Sequence, residues 1–485
     1  MLKKIKFSKL QYILVLFSIS IIVFFSHHLN FDNDFWFTIA QGRYIVKNGF
    51  PHTVLFTIYD NFDFVYQSWM SGVLFYKVYS LFGNYGIVGL VLIIDFLITF
   101  FYFKLCMKVS SKFELSILLT IIFISIMNVF FIVTRPQIFT SLNLIVLLYL
   151  MESYIKDNNY KWLIPLPFIA LLQINIHGIF FFMLLIFMLP YVVNSFKFKI
   201  GPISSSGYKL KPILITMILM ILVAFINPYG IKTILYVFTS YGNSTLNSLI
   251  SEMHSIDFHN MMGKLFYALL FIIYLIYFFN KTKKIPVRYI LLLFGTTYLA
   301  LDAVRSFSLF LIASIFPISY LFKEQVPPFN DKIKNYSLNR KIVHYTINII
   351  VFVLSITITF IVSPKNFTNV SEKPVQYLLT NYDKEQIRLY TYFDDGGYTE
   401  YMGIKSSMDP RAELFLKTTN HKQDVLLEYF KLEQGIIYYK DYLDKYNFTH
   451  LLINKKDKMY YLLKHDSHNY KLVKDYKKYQ IYEKK

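Results

Sequence analysis

Asp32 and Asp34 stand two positions apart in Asp32-Asn33-Asp34-Phe35-Trp36, shortly after the first long apolar run, Tyr12 to Phe25. This spacing lets two carboxylates share a divalent cation, or lets one act as general base while the other orients it. The plainer reading is a helix cap or a solvated loop. Carboxylates set among aromatics at a membrane surface are costly unless they have a use, which weighs toward function. The stretch continues through GRYIVKNGFP and closes on Gln67-Ser68-Trp69. It is too polar to span a bilayer and too aromatic for a plain solvent loop, and it reads as a catalytic lip.

Further along, polar residues recur at the ends of apolar runs. Arg135, in Thr134-Arg135-Pro136-Gln137, could hold a phosphate in a bidentate fork, or snorkel, or pair with an acid. His177 follows Gln173 and Asn175 in LLQINIHGIF. A lone histidine in such a place is more often hydrogen-bonded packing than a ligand. Glu252, His254 and Asp257 lie together in SEMHSIDF, at a spacing that matches no metal template. Asp302 and Arg305 are three apart, which on a helix end is first a salt bridge and second a phosphate ligand. Asn227-Pro228-Tyr229-Gly230 is a helix-terminating turn. Asp95 lies within an apolar run, where it is protonated, paired or functional.

The elements that must position these groups are membrane helices. The 485 residues are 55% hydrophobic, concentrated in blocks of about twenty residues. Eleven spans are expected, at roughly 11–28, 86–103, 114–133, 138–155, 162–176, 178–195, 212–228, 264–280, 287–302, 306–322 and 342–363. The first lacks a cleavage pattern and reads as a retained helix. Only His177-Gly178 separates the fifth and sixth, and merging them would move every later loop to the other side. Charge decides for eleven: with the N-terminus inside, 22 basic residues fall on the cytoplasmic side and seven outside. The cytoplasmic group includes Lys3, Lys4, Lys6 and Lys9, Lys281, Lys283, Lys284 and Arg288, and Lys332, Lys334, Arg340 and Lys341. The net charge of +20 therefore reflects topology and not a nucleic-acid partner. Cys106 is the one cysteine, so no intramolecular disulfide forms.

After Pro364 long apolar runs stop. Residues 365–485 hold 21 basic and 17 acidic residues and read as a small α/β domain on the outer face. Ile387–Phe393 and Thr449–Asn454 have strand patterns, Val425–Phe430 and Tyr438–Tyr446 helical ones, and Asp395-Gly396-Gly397 is turn chemistry. The expected division is 1–363, a transmembrane domain with a first outer loop at 30–70, and 364–485, a soluble extracytoplasmic domain. On this topology Asp32, Asp34, Arg135, His177, Asn227, Glu252, His254, Asp257, Asp302 and Arg305 lie at or near the outer face.

In order along the chain, these pieces resemble bacterial membrane proteins of the GT-C glycosyltransferase type. They are Asp32-x-Asp34 with Phe35-Trp36, GRYIVKNGFP, Trp69 before VLFYKVYSLFG, Arg135-Pro136, Asn175-x-His177-Gly178, Asn227-Pro228-Tyr229-Gly230 and Arg305 with its apolar helix. Asp395-Gly396-Gly397-Tyr398 and Asp409-Pro410-Arg411 add to them from the C-terminal domain. The resemblance implies a polytopic α-helical GT-C-like fold in the plasma (inner) membrane, an extracytoplasmic active site and a polyprenyl-phosphate-linked sugar donor. The acceptor would be an extracytoplasmic glycan or protein. Asp34 or Asp32 would deprotonate the acceptor or hold a divalent cation, Mg2+ or Mn2+. Arg135 and Arg305 would meet the lipid phosphate, with His177, Glu252 and Trp69 as further substrate contacts. The chain departs from the pattern at Thr38, where a histidine is expected, and at Val54 and Ser68, where acids are expected.

Three functions compete: a transferase, a transporter or flippase of a lipid-linked saccharide, and a non-catalytic envelope assembly factor. Asp95 suits the transporter, whereas polar residues near one face suit the transferase, because transporter sites lie at mid-depth. The three departures suit the assembly factor.

Overall fold

The structure, a computed structural model, describes residues 16–25, 31–205, 207–241, 244–280, 284–324 and 371–485. The expected span at 342–363, the flanks of the first span and basic residues 3–9, 281, 283, 332, 334, 340 and 341 lie outside the described residues. The chain divides into two compact units. The first takes in Met1–Leu29, Ile87–Ile226 and Ser251–Lys365; the second takes in Asn30–Gly86, Asn227–Ile250 and Asn366–Lys485.

The first unit is a helical bundle. Among the described residues, four helical stretches in the chain are long and apolar enough to cross a membrane: Trp69–Ser110, Gln137–Asp157, Met261–Phe279 and Val304–Leu321. Shorter apolar helices cover Leu16–Phe25, Leu115–Phe130, Tyr160–Ile176, Gly178–Asn194 and Leu210–Val223. The Trp69–Ser110 run is two helices joined at Gly83, whose φ of 59° and ψ of −150° are accessible to glycine at little cost. The expected separation at His177 is present. The Pro165–Ile176 helix ends there, and a short 3-10 turn, Gly178–Phe180, leads into the next helix. The Val287–Asp302 helix packs on Phe307–Ser314 and on Phe181–Asn194, and Pro165–Ile176 packs on Leu210–Val223. A small sheet ties two connections together: β1 (Lys199–Ile200) and β2 (Ile203–Ser204) are antiparallel, and β2 runs parallel to β3 (Ile285–Pro286).

Two buried polar clusters fasten this bundle. Asp95 receives hydrogen bonds from Ser20 Oγ at 2.6 Å and Asn128 Nδ2 at 2.9 Å, so its partners come from two other helices. Arg288, counted above as a loop charge, is instead buried against Glu152. Its Nε and Nη2 donate to the two carboxylate oxygens at 2.8 and 2.9 Å. Tyr191 and Tyr289 hydroxyls each donate to the same carboxylate at 3.0 Å. The planar guanidinium fork matches a carboxylate edge to edge, which is what lets an arginine and a glutamate be buried together.

In the second unit the lip expected as a loop is helical in its first half, Asn33–Asn48. Residues 50–68 then fold back on themselves, Val54 N donating to Phe62 O and Phe64 N to His52 O, each at 3.0 Å, and bond to the C-terminal segment. Ile58 N donates to Ser406 O at 3.0 Å, Ser406 N to Phe56 O at 3.2 Å, and Arg388 Nη1 to Ile58 O at 3.2 Å. The C-terminal segment carries a four-stranded mixed sheet of β4 (Leu389–Thr391), β5 (His450–Asn454), β6 (Tyr470–Asp475) and β7 (Tyr479–Lys484), in the order β4-β5-β7-β6. The first pair is parallel and the others antiparallel. The helices Val425–Glu433 and Tyr439–Tyr446 form where their patterns predict. One apolar core holds Leu426, Tyr442, Leu451 and Tyr482 together with Ile58, Tyr59 and Phe62 from the N-terminal stretch.

Asp395-Gly396-Gly397, expected as a turn, instead leads from a 3-10 turn into the short helix Gly396–Met402. The glycine at 397 serves a close approach. A Cβ there would lie 2.0 Å from the carbonyl oxygen of Asn33, so the two backbones meet only because no side chain intervenes.

Because removing one partner strands the other, Glu152→Leu should cost about 3–5 kcal/mol of stability. The double variant with Arg288→Met should recover most of that loss. Thermal unfolding of the purified protein in detergent reads both, and equal loss in the two variants would count against the pairing argument.

Candidate functional site

The residues singled out from the sequence fall in both units. Asp32, Asp34 and Trp69 belong to the second. Asp32 is the N-cap of the Asn33–Asn48 helix, with Oδ1 accepting from Phe35 N at 3.0 Å. Asp34 sits in the first turn, where a negative charge is favoured by the helix dipole. The helix-cap reading thus describes Asp32, while Asp34 stands partly exposed beside it. The surroundings are aromatic. Phe35 is buried between Phe31 at 4.6 Å and Phe75 at 6.0 Å, and Trp36 is buried against Tyr398 at 5.0 Å and Tyr401 at 4.9 Å. Trp69 meets the Phe50 ring edge-on at 5.1 Å where the next helix starts.

The three departures from the GT-C pattern share a physical setting. Thr38, Val54 and Ser68 are all buried. Thr38 Oγ1 donates to Asp34 O at 2.6 Å, and its own carbonyl accepts from Tyr66. Ser68 O accepts from Ser71 Oγ at 2.8 Å, and Val54 joins the apolar core. A charged side chain at any of these positions would need a buried partner. Threonine, valine and serine need none.

Arg135, His177, Glu252 and Arg305 belong to the first unit, and local contacts connect them. Arg135 Nη1 meets Glu252 Oε1 at 3.3 Å in a solvent-accessible pair. The turn bearing Glu252 is joined to the one bearing Arg305, with Val304 N donating to His254 O at 3.0 Å. The Arg305 guanidinium lies 5.8 Å from the Phe180 ring centre, and that ring lies 4.9 Å from His177. His177 Nδ1 is 2.8 Å from Thr140 Oγ1, one turn into the helix that begins just after Arg135. Gln173 Nε2 donates to Thr140 Oγ1 and to His177 O, both at 2.8 Å, and Asn143 donates to Gln173 Oε1. His177 is therefore bound into buried packing, as the plainer reading expected, while Arg135 holds a more open position and Arg305 has its Nε and Nη2 buried.

The remaining acids go to different partners. Asp257 accepts from His259 N and faces His259 Nδ1 at 2.8 Å, away from the Glu252 pairing. Among the described residues, no three His, Cys, Asp or Glu side chains gather as a metal ion would need. In the second unit, Asn227 holds its turn by accepting from Tyr229 N and donating to Gly230 O, and Tyr229 Oη donates to Pro51 O.

Two groups escaped the sequence reading. Glu152 was legible as a charge inside an apolar run, the same signal that marked Asp95. Glu400 was not: three residues after Gly397, it looks like a surface helix residue. It is fully buried, together with Asp409 and Arg411. Arg411 Nε donates to Asp409 Oδ1 at 2.8 Å, and Nη2 reaches Asp409 Oδ2 and Glu400 Oε2. Burial and the neighbouring Asp409 charge push the Glu400 carboxyl well up. Despite burial, the Arg411 guanidinium holds Asp409 below its ordinary value.

Asp395 shows how the C-terminal segment responds to pH. It is buried, accepting from Asn454 Nδ2 and Tyr479 Oη, each at 2.9 Å. Burial raises its pKa to about 6 against the opposing pull of those two hydrogen bonds. The folded state then holds a proton that the unfolded state releases. Its stabilising contribution is complete below pH about 4 and is lost as pH rises through about 6. Proteolysis of the 371–485 segment should speed up across this window, with a shallower pH slope in Asp395→Asn; identical slopes would refute the assignment.

No protein-family model matches the chain, and no curated protein sequence matches it. Solved structures do. A crystal structure of the Archaeoglobus fulgidus oligosaccharyltransferase in its apo form aligns with a TM-score of 0.51 at 12% identity, over 94% of this chain and 70% of that one. The same organism's oligosaccharyltransferase AglB, in complex with an inhibitory peptide and a dolichol-phosphate, aligns with a TM-score of 0.51 at 12% identity over 93% and 70%. At this identity the likeness is one of fold.

Proposed function

We propose that the protein is a membrane glycosyltransferase that moves a sugar or glycan from a polyprenyl-phosphate-linked donor to an extracytoplasmic acceptor, a glycan or a protein. The observation that carries this reading is the fold shared over 94% of the chain with a solved oligosaccharyltransferase, which in one structure holds a dolichol-phosphate and a peptide. In this reading eleven spans cross the plasma membrane with the N-terminus cytoplasmic. Residues 1–363 are the membrane part, with its first outer loop at 30–70, and residues 364–485 are the extracytoplasmic domain.

Transfer with inversion needs a base for the acceptor and charge stabilisation at the leaving phosphate. Asp34 takes the acceptor proton as the acceptor atom bonds to the sugar anomeric carbon and the bond to the phosphate oxygen breaks. Asp32, already capping the helix, fixes the carboxylate-bearing turn. Arg135 and Arg305 receive the phosphate charge. The Arg135–Glu252 pair is exposed, and such pairs contribute only about 0–1 kcal/mol, so Arg135 can exchange Glu252 for a phosphate at little cost. His177 keeps the Arg305 side chain's surroundings rigid through Phe180, and Trp69 supplies an aromatic surface. A divalent cation would draw on Asp32 and Asp34. Among the described residues no third acid, histidine or cysteine gathers beside them.

Asp34→Asn at matched abundance should reduce transfer from polyprenyl-phosphate-linked sugars by about 10²–10⁴-fold. Arg135→Gln should mainly raise KM for the donor. Both are read by product formation in membranes, and equal transfer by wild type and Asp34→Asn would remove Asp34 as the base.

A further inference from the structure

The residue between the two acids is held from the C-terminal segment. Asn33 Oδ1 accepts from Tyr398 N at 2.8 Å, and its carbonyl oxygen lies where a Cβ on Gly397 would stand. One turn on, Trp36 is packed against Tyr398 and Tyr401, and two turns beyond that Arg43 donates to the Tyr401 carbonyl while stacking on its ring at 4.7 Å. The Gly396–Met402 helix therefore lies along the acid-bearing helix and touches successive turns of it.

Arg411 completes this arrangement from a different place. Its charge is balanced on one side by Asp409 and Glu400, both fully buried. Its guanidinium carbon lies 5.2 Å from the centre of the Phe37 ring and 5.2 Å from that of Phe64. A buried guanidinium between two rings binds to their faces more strongly than an exposed one. Phe37 is three residues after Asp34, so the two share one side of the helix. Among the described residues the buried Arg411 Nη1 atom has no hydrogen-bond partner, and the ring contacts are what surrounds the group beside its two carboxylates.

The geometry points to Arg411 as a positioning residue for transfer: clamped by Asp409 and Glu400, it grips Phe37 and holds the Asp34-bearing turn against the C-terminal segment. This rests on the proposed role of Asp34. The first turn, where Asp34 stands, has fewer intrahelical hydrogen bonds than the middle of the helix, so contacts from outside fix its position. Misplacing a base by about 1 Å is enough to slow proton transfer without altering how the donor binds.

The test uses the full chain in detergent, with hydrogen exchange of the amides at 35–41 followed by mass spectrometry. Phe37→Leu and Arg411→Lys should each speed exchange there by about tenfold or more, while the β5 amides of His450–Asn454 stay protected and Phe37→Tyr exchanges as wild type does. In the transfer assay the same two variants should lose about tenfold in kcat with donor KM within about twofold, and Phe37→Tyr should retain activity. Unchanged exchange at 35–41 overturns the clamp. So does loosening throughout 371–485, which would make Arg411 a folding residue only. Selective loosening in variants of a wild type that transfers no sugar upholds the clamp and overturns the transferase reading.

Discussion

A charge taken out of water must find a partner, and each unit of this protein is fastened where that requirement is met. Glu152 and Arg288 in the helical bundle, and Glu400, Asp409 and Arg411 in the C-terminal segment, are buried almost completely. Neither set is there because ion pairing is intrinsically strong, since hydrophobic replacements of such groups are often as stable. What a buried pair does impose is a definite mutual position, because any slip leaves a charge stranded. Asp95, held by Ser20 and Asn128, works in the same way with neutral partners. With those partners in place Asp95 acts as a fastening between helices, and it no longer singles out a transporter.

The exposed groups stand in contrast. Arg135 and Glu252 meet at 3.3 Å in a pair that solvent reaches, and water can replace either partner. Arg288, by contrast, has its Nε and Nη2 committed to one carboxylate. The first kind of arginine can accept a phosphate; the second kind cannot without dismantling its surroundings. Two arginines of identical chemistry thus differ in how firmly their surroundings commit them, on burial alone.

Much of the helical framework was legible because apolar runs of this length have few alternatives. The helix break at His177 was legible too, since two short runs with a polar junction do not form one helix comfortably. The strands β4 and β5 and the helices at 425–433 and 439–446 followed from alternation and from 3.6-residue periodicity. The Asn33–Asn48 helix was less legible. Its GRYIVKNGFP end reads as a loop, and its apolar face is completed by residues several hundred positions away. Gly396-Gly397 misled for a related reason. Adjacent glycines signal a turn locally, whereas here the second is present for a long-range backbone contact. Arg288 misled because charge counting assigns a side to a basic residue without knowing whether an acid waits for it inside the bundle.

For the candidate site, residue types were readable and commitments were not. The sequence offered Asp32 as cap or ligand and His177 as packing or ligand, and in both cases the bland reading describes the contacts made. Asp34 on the acid-bearing helix and Arg135 in the bundle are the groups that solvent reaches. The same logic explains why Thr38, Val54 and Ser68 do not by themselves argue against catalysis. They fill buried places whose requirement is to avoid an unpaired charge, and a position enclosed by packing cannot meet a substrate whichever residue it carries. The acid-bearing helix is held from the C-terminal segment through Asn33, Trp36, Phe37 and Arg43, and none of these contacts involves the three positions.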